Sequence, residues 1–166
     1  MNLLLLVHPD YAANKWSRRK HRARLGRYFE ETLVTIEGFQ GDVVATRDFI
    51  TTDRNLSIHN VKQLVEFRAS LKATKKVKVV EDWGNGWLLR PQLDLSQYDY
   101  VEVGGGYVEM CLLNTVQHLW RHNNKQVECS FNLQPDLCFS YFADEYEAPY
   151  FVSEFPPIGV LPATYS

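Results

Sequence analysis

Short apolar runs alternate with longer stretches of helical periodicity along this chain. Residues 3–7 are apolar without interruption, which is typical of a strand buried on both faces of a parallel sheet. Further strands are predicted at residues 42–46, 77–81, 98–103 and 126–131, and helices at residues 17–37, 58–72 and 107–122. This alternation predicts an α/β domain with a three-layer Rossmann-like fold, in which helices flank a mostly parallel sheet.

The end of the chain has a different pattern. Residues 135–166 contain five prolines among many aromatic and acidic residues. Proline lacks the N–H group that strand pairing uses, so we expect this segment to form little regular structure. Its aromatic side chains predict packing across the surface or onto a partner subunit. A chain of 166 residues is the size of one ordinary domain, so residues 1–166 are predicted to form a single domain with this tail.

Composition places the chain among globular proteins. Hydrophobic residues make up 45% and charged residues 23%, which argues against disorder. No apolar run reaches the roughly 18 residues of a membrane span, and the first residues lack the basic leader of a signal peptide. Cys111, Cys129 and Cys138 show no spacing of a disulfide framework or metal site, so we expect reduced thiols in a cytoplasmic protein.

Reactive side chains follow three of the predicted strands. Ligands of open parallel sheets bind at the carboxyl ends of the strands, where His8, Asp82 and Cys111 are expected. Cys111 falls in the first turn of a predicted helix, where backbone N–H groups and the helix dipole favour a thiolate and can bind an oxyanion. The glycines at residues 104–106 are expected to allow a close turn and to leave space for a substrate.

Three segments together resemble a known family. Gly105, Cys111 and Thr115 are spaced as in the nucleophile segment of the isochorismatase-like cysteine hydrolases, which include nicotinamidases. The sequence Leu-Leu-Val-His-Pro at residues 5–9 is similar to the first strand of that family, and Val-Val-Ala-Thr-Arg-Asp-Phe at residues 43–49 is similar to its second. The resemblance covers roughly residues 2–131 in outline.

This resemblance implies a chemistry. Members of the family cleave an amide or related bond of a small molecule through a thioester, using a Cys-Asp-Lys triad. It implies that Cys111 is the nucleophile, that the Gly106–Tyr107 peptide is cis, and that the N–H groups of Tyr107 and Cys111 bind the oxyanion. Asp48, Trp83 and Trp87 are expected to join Gly106 and Tyr107 in contacting the substrate.

The chain departs from the family at two triad positions. His8 stands where the family has its aspartate, and Asp82 falls on or near the position of the lysine. One alternative is a Cys-His-Asp set in which His8 is the base and Asp82 orients its ring. In another, Asp10 replaces His8 as the base and Lys78 replaces the lysine. A third is an inactive relative that binds a ligand or partner.

Cofactors and metals are not expected. The metal-binding members of the family carry Asp-x-His after the second strand, whereas residues 48–50 read Asp-Phe-Ile, so we predict no zinc. A small-molecule substrate or ligand is the expected partner. By resemblance and by its aromatic tail, the protein is also expected to form a homo-oligomer. The substrate itself does not follow from the sequence.

A basic segment suggests a further class of partner. Residues 15–27 hold seven of the eighteen Lys and Arg residues, although the net charge of the chain is −2. The candidate anion-binding patch comprises Arg18, Arg19, Lys20, Arg22 and Arg24. A solvated face that pairs with acids such as Asp136, Asp144, Glu145, Glu147 and Glu154 is favoured over a nucleic-acid site, because no nucleic-acid-binding motif accompanies the charge.

Overall fold

The computed structural model describes residues 1–48, 58–122, 130–141 and 158–160. In this part of the chain, six parallel strands form one sheet in the order β3-β2-β1-β4-β5-β6. The strands are β1 (Asn2–Val7), β2 (Asp42–Arg47), β3 (Val77–Glu81), β4 (Tyr100–Gly106), β5 (Ser130–Phe139) and β6 (Ile158–Val160). The predicted α/β fold with a parallel sheet is confirmed.

Helices connect the strands and cover both faces of the sheet. They are α1 (Ala12–Lys15), α2 (Arg22–Gly38), α3 (Ile58–Ala73) and α4 (Leu113–His122). Short 3₁₀ turns lie at Pro9–Tyr11, Arg19–His21, Arg90–Gln92 and Leu95–Gln97, and a π turn at Val108–Leu112 precedes α4. Within the described residues, no helix is long and apolar enough to cross a membrane.

β1 is the centre of the hydrophobic core. Its residues 3–7 are fully buried, because β2 and β4 pair with it on either side and helices cover both of its faces. Alternation along the strand sends Leu3 and Leu5 into one core cluster and Leu4 and Leu6 into the other. Buried residues of α2 and α3 complete the second cluster, and those of α4 complete the first.

The fifth strand is displaced from its predicted position. It runs from Ser130 to Phe139, whereas the apolar pattern predicts residues 126–131, of which 126–129 lie outside the described residues. Its pairing with β4 shifts register between Val103 and Gly105. Pro135 lies in this irregular stretch, where strand pairing does not require its missing N–H. The expectation that the irregular tail begins at residue 135 is therefore wrong for residues 135–139, and Ile158–Val160 adds a further strand.

Candidate active site

The candidate site lies where the strand order changes direction. Connections from β1 and β4 lead to opposite sides of the sheet, which leaves a crevice beyond the carboxyl ends of these two strands. His8 directly follows β1, and Cys111 lies in the π turn after β4. A Cβ placed on Gly84 would lie 2.8 Å from the Cys111 Sγ and 3.0 Å from Cε1 of His8. The structure therefore brings the thiol and the imidazole together.

His8 is held by its backbone and by one ring nitrogen. It is fully buried and has left-handed backbone angles, φ 43° and ψ 53°, which histidine adopts more readily than most residues. Its N–H donates to the Thr46 Oγ1 at 3.1 Å, and its Nε2 lies 2.9 Å from the carbonyl oxygen of Asp82. A carbonyl oxygen only accepts, so Nε2 carries the proton and Nδ1 is left as the basic nitrogen. Nδ1 is buried and has no hydrogen-bond partner among the described residues.

The Asp82 carboxylate does not contact the imidazole. Its Oδ2 accepts from the N–H groups of residues 84, 85 and 86 at 2.8–3.1 Å, and its Oδ1 accepts from those of residues 88 and 89 at 3.0 and 3.3 Å. The side chain thus shapes the loop that carries Gly84, because burial makes these N–H groups need an acceptor. The expectation that this carboxylate orients the His8 ring is wrong, since the backbone carbonyl of Asp82 makes that contact.

Cys111 is a half-buried thiol with a raised pKa. Burial is the largest cause, and the charges of Asp48 and Asp82 act in the same direction. The backbone amides of Tyr107 and Cys111 lower the pKa without cancelling the effect of burial. The raised pKa contradicts the expected resting thiolate, because the sulfur then holds its proton at neutral pH.

The backbone around the sulfur matches what the family resemblance implied. The Gly106–Tyr107 peptide is cis. The backbone amides of Tyr107 and Cys111, the two expected oxyanion donors, lie close enough to the thiol to lower its pKa.

Tyr11 and Asp48 lie next to His8 and Cys111 and contact each other. The Tyr11 hydroxyl donates to the Asp48 Oδ2 at 2.6 Å, and its ring centroid lies 4.5 Å from that of His8 and 5.9 Å from that of Tyr107. Asp48 is close enough to Cys111 to raise the pKa of the thiol. Sequence reasoning missed Tyr11 and Thr46. Their one signal was position, because each lies at or just beyond the carboxyl end of a strand beside the site.

Asp10 and Lys78 make other contacts. The Asp10 Oδ2 accepts from Nε and Nη2 of Arg68 on α3, at 3.2 and 2.7 Å. The Lys78 Nζ donates to the carbonyl oxygen of Gln92 at 2.9 Å on an exposed surface. These contacts favour His8 over the alternative in which Asp10 and Lys78 replace His8 and the family lysine.

The two tryptophans lie on the outside of the loop that Asp82 holds. Trp83 is 55% exposed and Trp87 is 67% exposed. The Trp87 ring stacks on His118 of α4, with centroids 5.6 Å apart. Trp87 therefore lies against the helix surface, and Trp83, next to Gly84, remains the tryptophan at the rim of the site.

The three glycines before Cys111 do not open a space. They form the last residues of β4, and their neighbours already fill the volume that side chains would need. A Cβ on Gly105, where φ is +100°, would lie 1.9 Å from the Val7 carbonyl oxygen. A Cβ on Gly106 would lie 2.5 Å from the Phe139 ring. The expected substrate space at these residues is therefore wrong, and the glycines serve close strand packing.

The candidate anion-binding patch begins before α2. Arg18, Arg19 and Lys20 are exposed, whereas Arg22 and Arg24 are half-buried and the Arg24 guanidinium lies 5.1 Å from the centroid of the Trp16 ring. Lys15, just before the patch, donates from Nζ to the Tyr141 carbonyl oxygen at 3.3 Å, and the Tyr141 ring lies 5.1 Å from that of Tyr107. Lys15, and not the patch itself, is therefore linked through Tyr141 to Tyr107. Of its proposed acidic partners, those at residues 144, 145, 147 and 154 lie outside the described residues.

A metal centre does not emerge from the described residues. Among them, no group of three or more His, Cys, Asp and Glu side chains is arranged to hold a metal ion. The side chains that the structure brings together beside Gly84 are a thiol and an imidazole.

Comparisons with known proteins agree with this architecture. No protein-family model matches the sequence, and no curated protein matches it either. Solved structures do match: a nicotinamidase from Bacillus subtilis has a TM-score of 0.62 at 15% identity, over 96% of this chain and 98% of that one. An isochorismatase-like hydrolase from Alkaliphilus metalliredigens has a TM-score of 0.59 at 14% identity, over 96% and 91% of the two chains.

An amidase gives a third comparison. The N-carbamoylsarcosine amidase from Thermoplasma acidophilum has a TM-score of 0.54 at 16% identity, over 96% of this chain and 94% of that one. Identities this low show a shared fold rather than a shared reaction. The chain therefore has the fold of the isochorismatase-like hydrolases and nicotinamidases.

Proposed function

We propose that the protein is a cysteine-dependent hydrolase that cleaves a C–N or related bond of a small molecule through a thioester on Cys111. The observation that carries this proposal is the approach of the Cys111 Sγ and the His8 Cε1 to the same point beside Gly84. The backbone amides of Tyr107 and Cys111, which lower the pKa of the thiol, support it. Two proteins of the same fold are by name a nicotinamidase and an amidase, both of which cleave C–N bonds.

The reaction begins with a proton transfer. Because the thiol is protonated at rest, His8 Nδ1 takes the Sγ proton as the sulfur attacks the carbonyl carbon of the substrate. The ring keeps its orientation during this step, since Nε2–H stays bonded to the Asp82 carbonyl. The negative charge that forms on the carbonyl oxygen is bound by the N–H groups of Tyr107 and Cys111.

Two bond cleavages complete the cycle. The tetrahedral intermediate collapses, the C–N bond breaks, and the protonated His8 gives its proton to the leaving nitrogen. Water then attacks the thioester with His8 again as the base, which releases a carboxylic acid and restores the thiol. The Asp48 carboxylate, held by the Tyr11 hydroxyl, is placed to accept a hydrogen bond from the polar group of the substrate.

A burst experiment with p-nitrophenyl acetate tests this proposal. Attack by Sγ breaks the ester C–O bond, releases p-nitrophenolate and leaves an acetyl group on the sulfur. We expect one p-nitrophenolate per chain in the burst and an acetyl group on Cys111 by peptide mass spectrometry. Cys111→Ala should abolish the burst, and Cys138→Ser should keep it, because the buried Cys138 thiol contacts the Val103 carbonyl away from the site. A burst that survives Cys111→Ala contradicts the proposal.

A second candidate function is nucleic-acid binding by a catalytically inactive protein. The observation that favours it is the exposure of Arg18, Arg19 and Lys20, which have no carboxylate within ion-pair distance among the described residues. Binding of a single-stranded oligonucleotide would then weaken steeply with salt. Removing two cations by Arg19→Gln and Lys20→Gln should weaken binding, whereas Lys62→Gln with Lys75→Gln should not. A flat salt response excludes this function.

A further inference from the structure

A cavity of about 320 Å³ lies on the face of the sheet opposite the thiol. It is bounded by the carboxyl-terminal part of β2, by Val79 in the middle of β3 and by α3. Ala45 and Leu71, which line it, belong to the core cluster of the α2–α3 face, whereas Cys111 packs against the other cluster. Its volume falls in the lower part of the range for small-molecule sites. It is therefore separate from the space beside the thiol, although Thr46, which accepts from the His8 N–H, also lines it.

The wall of this cavity is apolar and partly open. Ala45, Leu71 and Val79 supply the apolar surface. Val79 is 48% exposed, because β3 is the edge strand and α3 leaves part of it uncovered. Covering such a surface removes apolar area from water, which favours a ligand with a hydrocarbon part.

The rim of the cavity is cationic. Arg47, Arg68 and Lys72 line it together with a single carboxylate, that of Asp10. Asp10 is 6% exposed and ion-paired with Arg68, so these two charges offset each other and Arg47 and Lys72 supply the positive charge that is left. Positive charge therefore remains at the mouth of an apolar cavity. From this combination we infer that the cavity binds a small amphipathic anion, an aliphatic carboxylate whose head meets the cations and whose chain covers Val79 and Leu71.

The position of the cavity relates it to His8. Pro9 and Asp10, which line the cavity, are the two residues that follow His8, and the Tyr11 N–H closes their turn by donating to the His8 carbonyl oxygen at 3.0 Å. A bound carboxylate would therefore contact the turn that carries the imidazole. Its effect should appear in the NMR signals of residues 9–11 as well as in those of α3.

Calorimetric titration with hexanoate tests the inference. Acetate, which lacks the aliphatic chain, and hexanol, which lacks the negative charge, are the comparison ligands. We expect saturable binding of hexanoate that is at least about tenfold tighter than that of either comparison ligand. Val79→Asp should weaken hexanoate binding by at least about tenfold, because it puts a carboxylate on the apolar wall. Val65→Asp makes the same change at a valine that is 58% exposed on α3 and does not line the cavity, and it should bind like the wild type.

Three results would overturn the inference. Hexanoate that fails to saturate shows that the cavity does not bind this class of ligand. Hexanol that binds as tightly as hexanoate shows that the cations play no part. Equal effects of Val79→Asp and Val65→Asp show that the ligand binds elsewhere. None of these measurements depends on Cys111, so they leave the proposed hydrolase activity to its own test.

Discussion

The imidazole of His8 is oriented by the main chain of Asp82 and not by its side chain. Nε2 of His8 donates to the Asp82 carbonyl oxygen at 2.9 Å, while the Asp82 carboxylate binds five N–H groups of the loop that follows it. One residue thus fixes both the tautomer of the base and the loop that approaches the sulfur. The two functions can be separated by mutation, because a side-chain substitution keeps the carbonyl group.

His8→Asn tests the role of the base. Asparagine accepts left-handed backbone angles and keeps a polar amide next to the backbone, but it cannot take a proton from the thiol. We expect the rate of Cys111 acylation by p-nitrophenyl acetate to fall by about 10²–10⁴-fold while the fold is retained. The control is His118→Asn, a histidine that stacks on Trp87 on the outer side of α4. Acylation at the wild-type rate in His8→Asn would remove His8 from the mechanism.

Asp82→Asn tests the role of the loop. The amide has one acceptor oxygen instead of two charged ones, so several buried N–H groups of residues 84–89 lose their acceptor. We expect the free energy of unfolding to fall by about 3 kcal/mol in urea titrations. Cys111 should also react faster with iodoacetamide as the loop moves away from the sulfur. The tautomer of His8 should be unchanged in NMR spectra, since the carbonyl remains.

Asp94→Asn provides the matched control for that substitution. The Asp94 carboxylate also caps a turn, accepting from the Ser96 N–H at 2.9 Å, but it is exposed. Water can replace it there, so the urea midpoint should stay close to that of the wild type. Equal losses of stability in Asp82→Asn and Asp94→Asn would show that the Asp82 hydrogen bonds stabilise the fold no more than those of an exposed turn.

The sheet could be predicted from sequence because its central strands are continuous apolar runs. The strand predicted at residues 77–81 has the same bounds as β3. The strand predicted at residues 3–7 differs from β1 only in omitting Asn2. β5 was misplaced because Pro135 reads as a break in a strand. β5 tolerates Pro135 because its register against β4 shifts at this point. The register between two strands depends on the folded sheet and cannot be read from the local sequence.

The residues of the candidate site were predicted in part for the same reason. Strand ends identified His8, Asp82 and Cys111, because topology brings such ends together. Which atoms of these residues meet could not be predicted. The direction of the Asp82 carbonyl and the left-handed backbone of His8 depend on the folded loop and on Thr46 of the neighbouring strand. The raised pKa of Cys111 likewise reflects burial, which the position of a cysteine near a helix start does not reveal.

The pH dependence of stability provides a prediction at Cys138. Burial, assisted by the charge of Asp136, raises the pKa of this thiol well above its ordinary value. The folded protein therefore keeps the proton when the unfolded chain, with a thiol pKa of about 8.5, has begun to release it. The stabilisation that the protonated Cys138 gives the folded protein is therefore fully present below about pH 8.5. Above that pH the free energy of unfolding falls by about 1.4 kcal/mol per pH unit.

Cys138→Ala should remove this slope. Between pH 8 and pH 10, we expect the free energy of unfolding of the wild type to fall by about 2 kcal/mol more than that of Cys138→Ala in urea titrations. The range stops at about pH 10 because Tyr28, whose pKa burial also raises, contributes in the same direction above it. Parallel curves for the two proteins would show that the Cys138 thiol ionises alike in the folded and unfolded states.

Gly84→Ala tests the approach of the thiol to the imidazole. The added Cβ would lie 2.7 Å from the Cys111 Cβ, 2.8 Å from its Sγ and 3.0 Å from the His8 Cε1, at a backbone φ of +79°. Both the strained φ and the contacts oppose it, so we expect the free energy of unfolding to fall by about 2–3 kcal/mol. The methyl group would also separate sulfur from imidazole, so the p-nitrophenyl acetate burst should slow more than the loss of stability explains.

Gly38→Ala separates these effects from the general cost of adding a methyl group. A Cβ at Gly38 would meet nothing within 4 Å, and its φ lies outside the left-handed region. Stability should therefore be retained or slightly increased, because alanine favours a helix over glycine. The decisive comparison is the burst rate of Gly84→Ala at a temperature where both variants are fully folded. A rate equal to that of Gly38→Ala would mean that Sγ and the imidazole do not need to meet at this point, and a base other than His8 would then have to deprotonate the thiol.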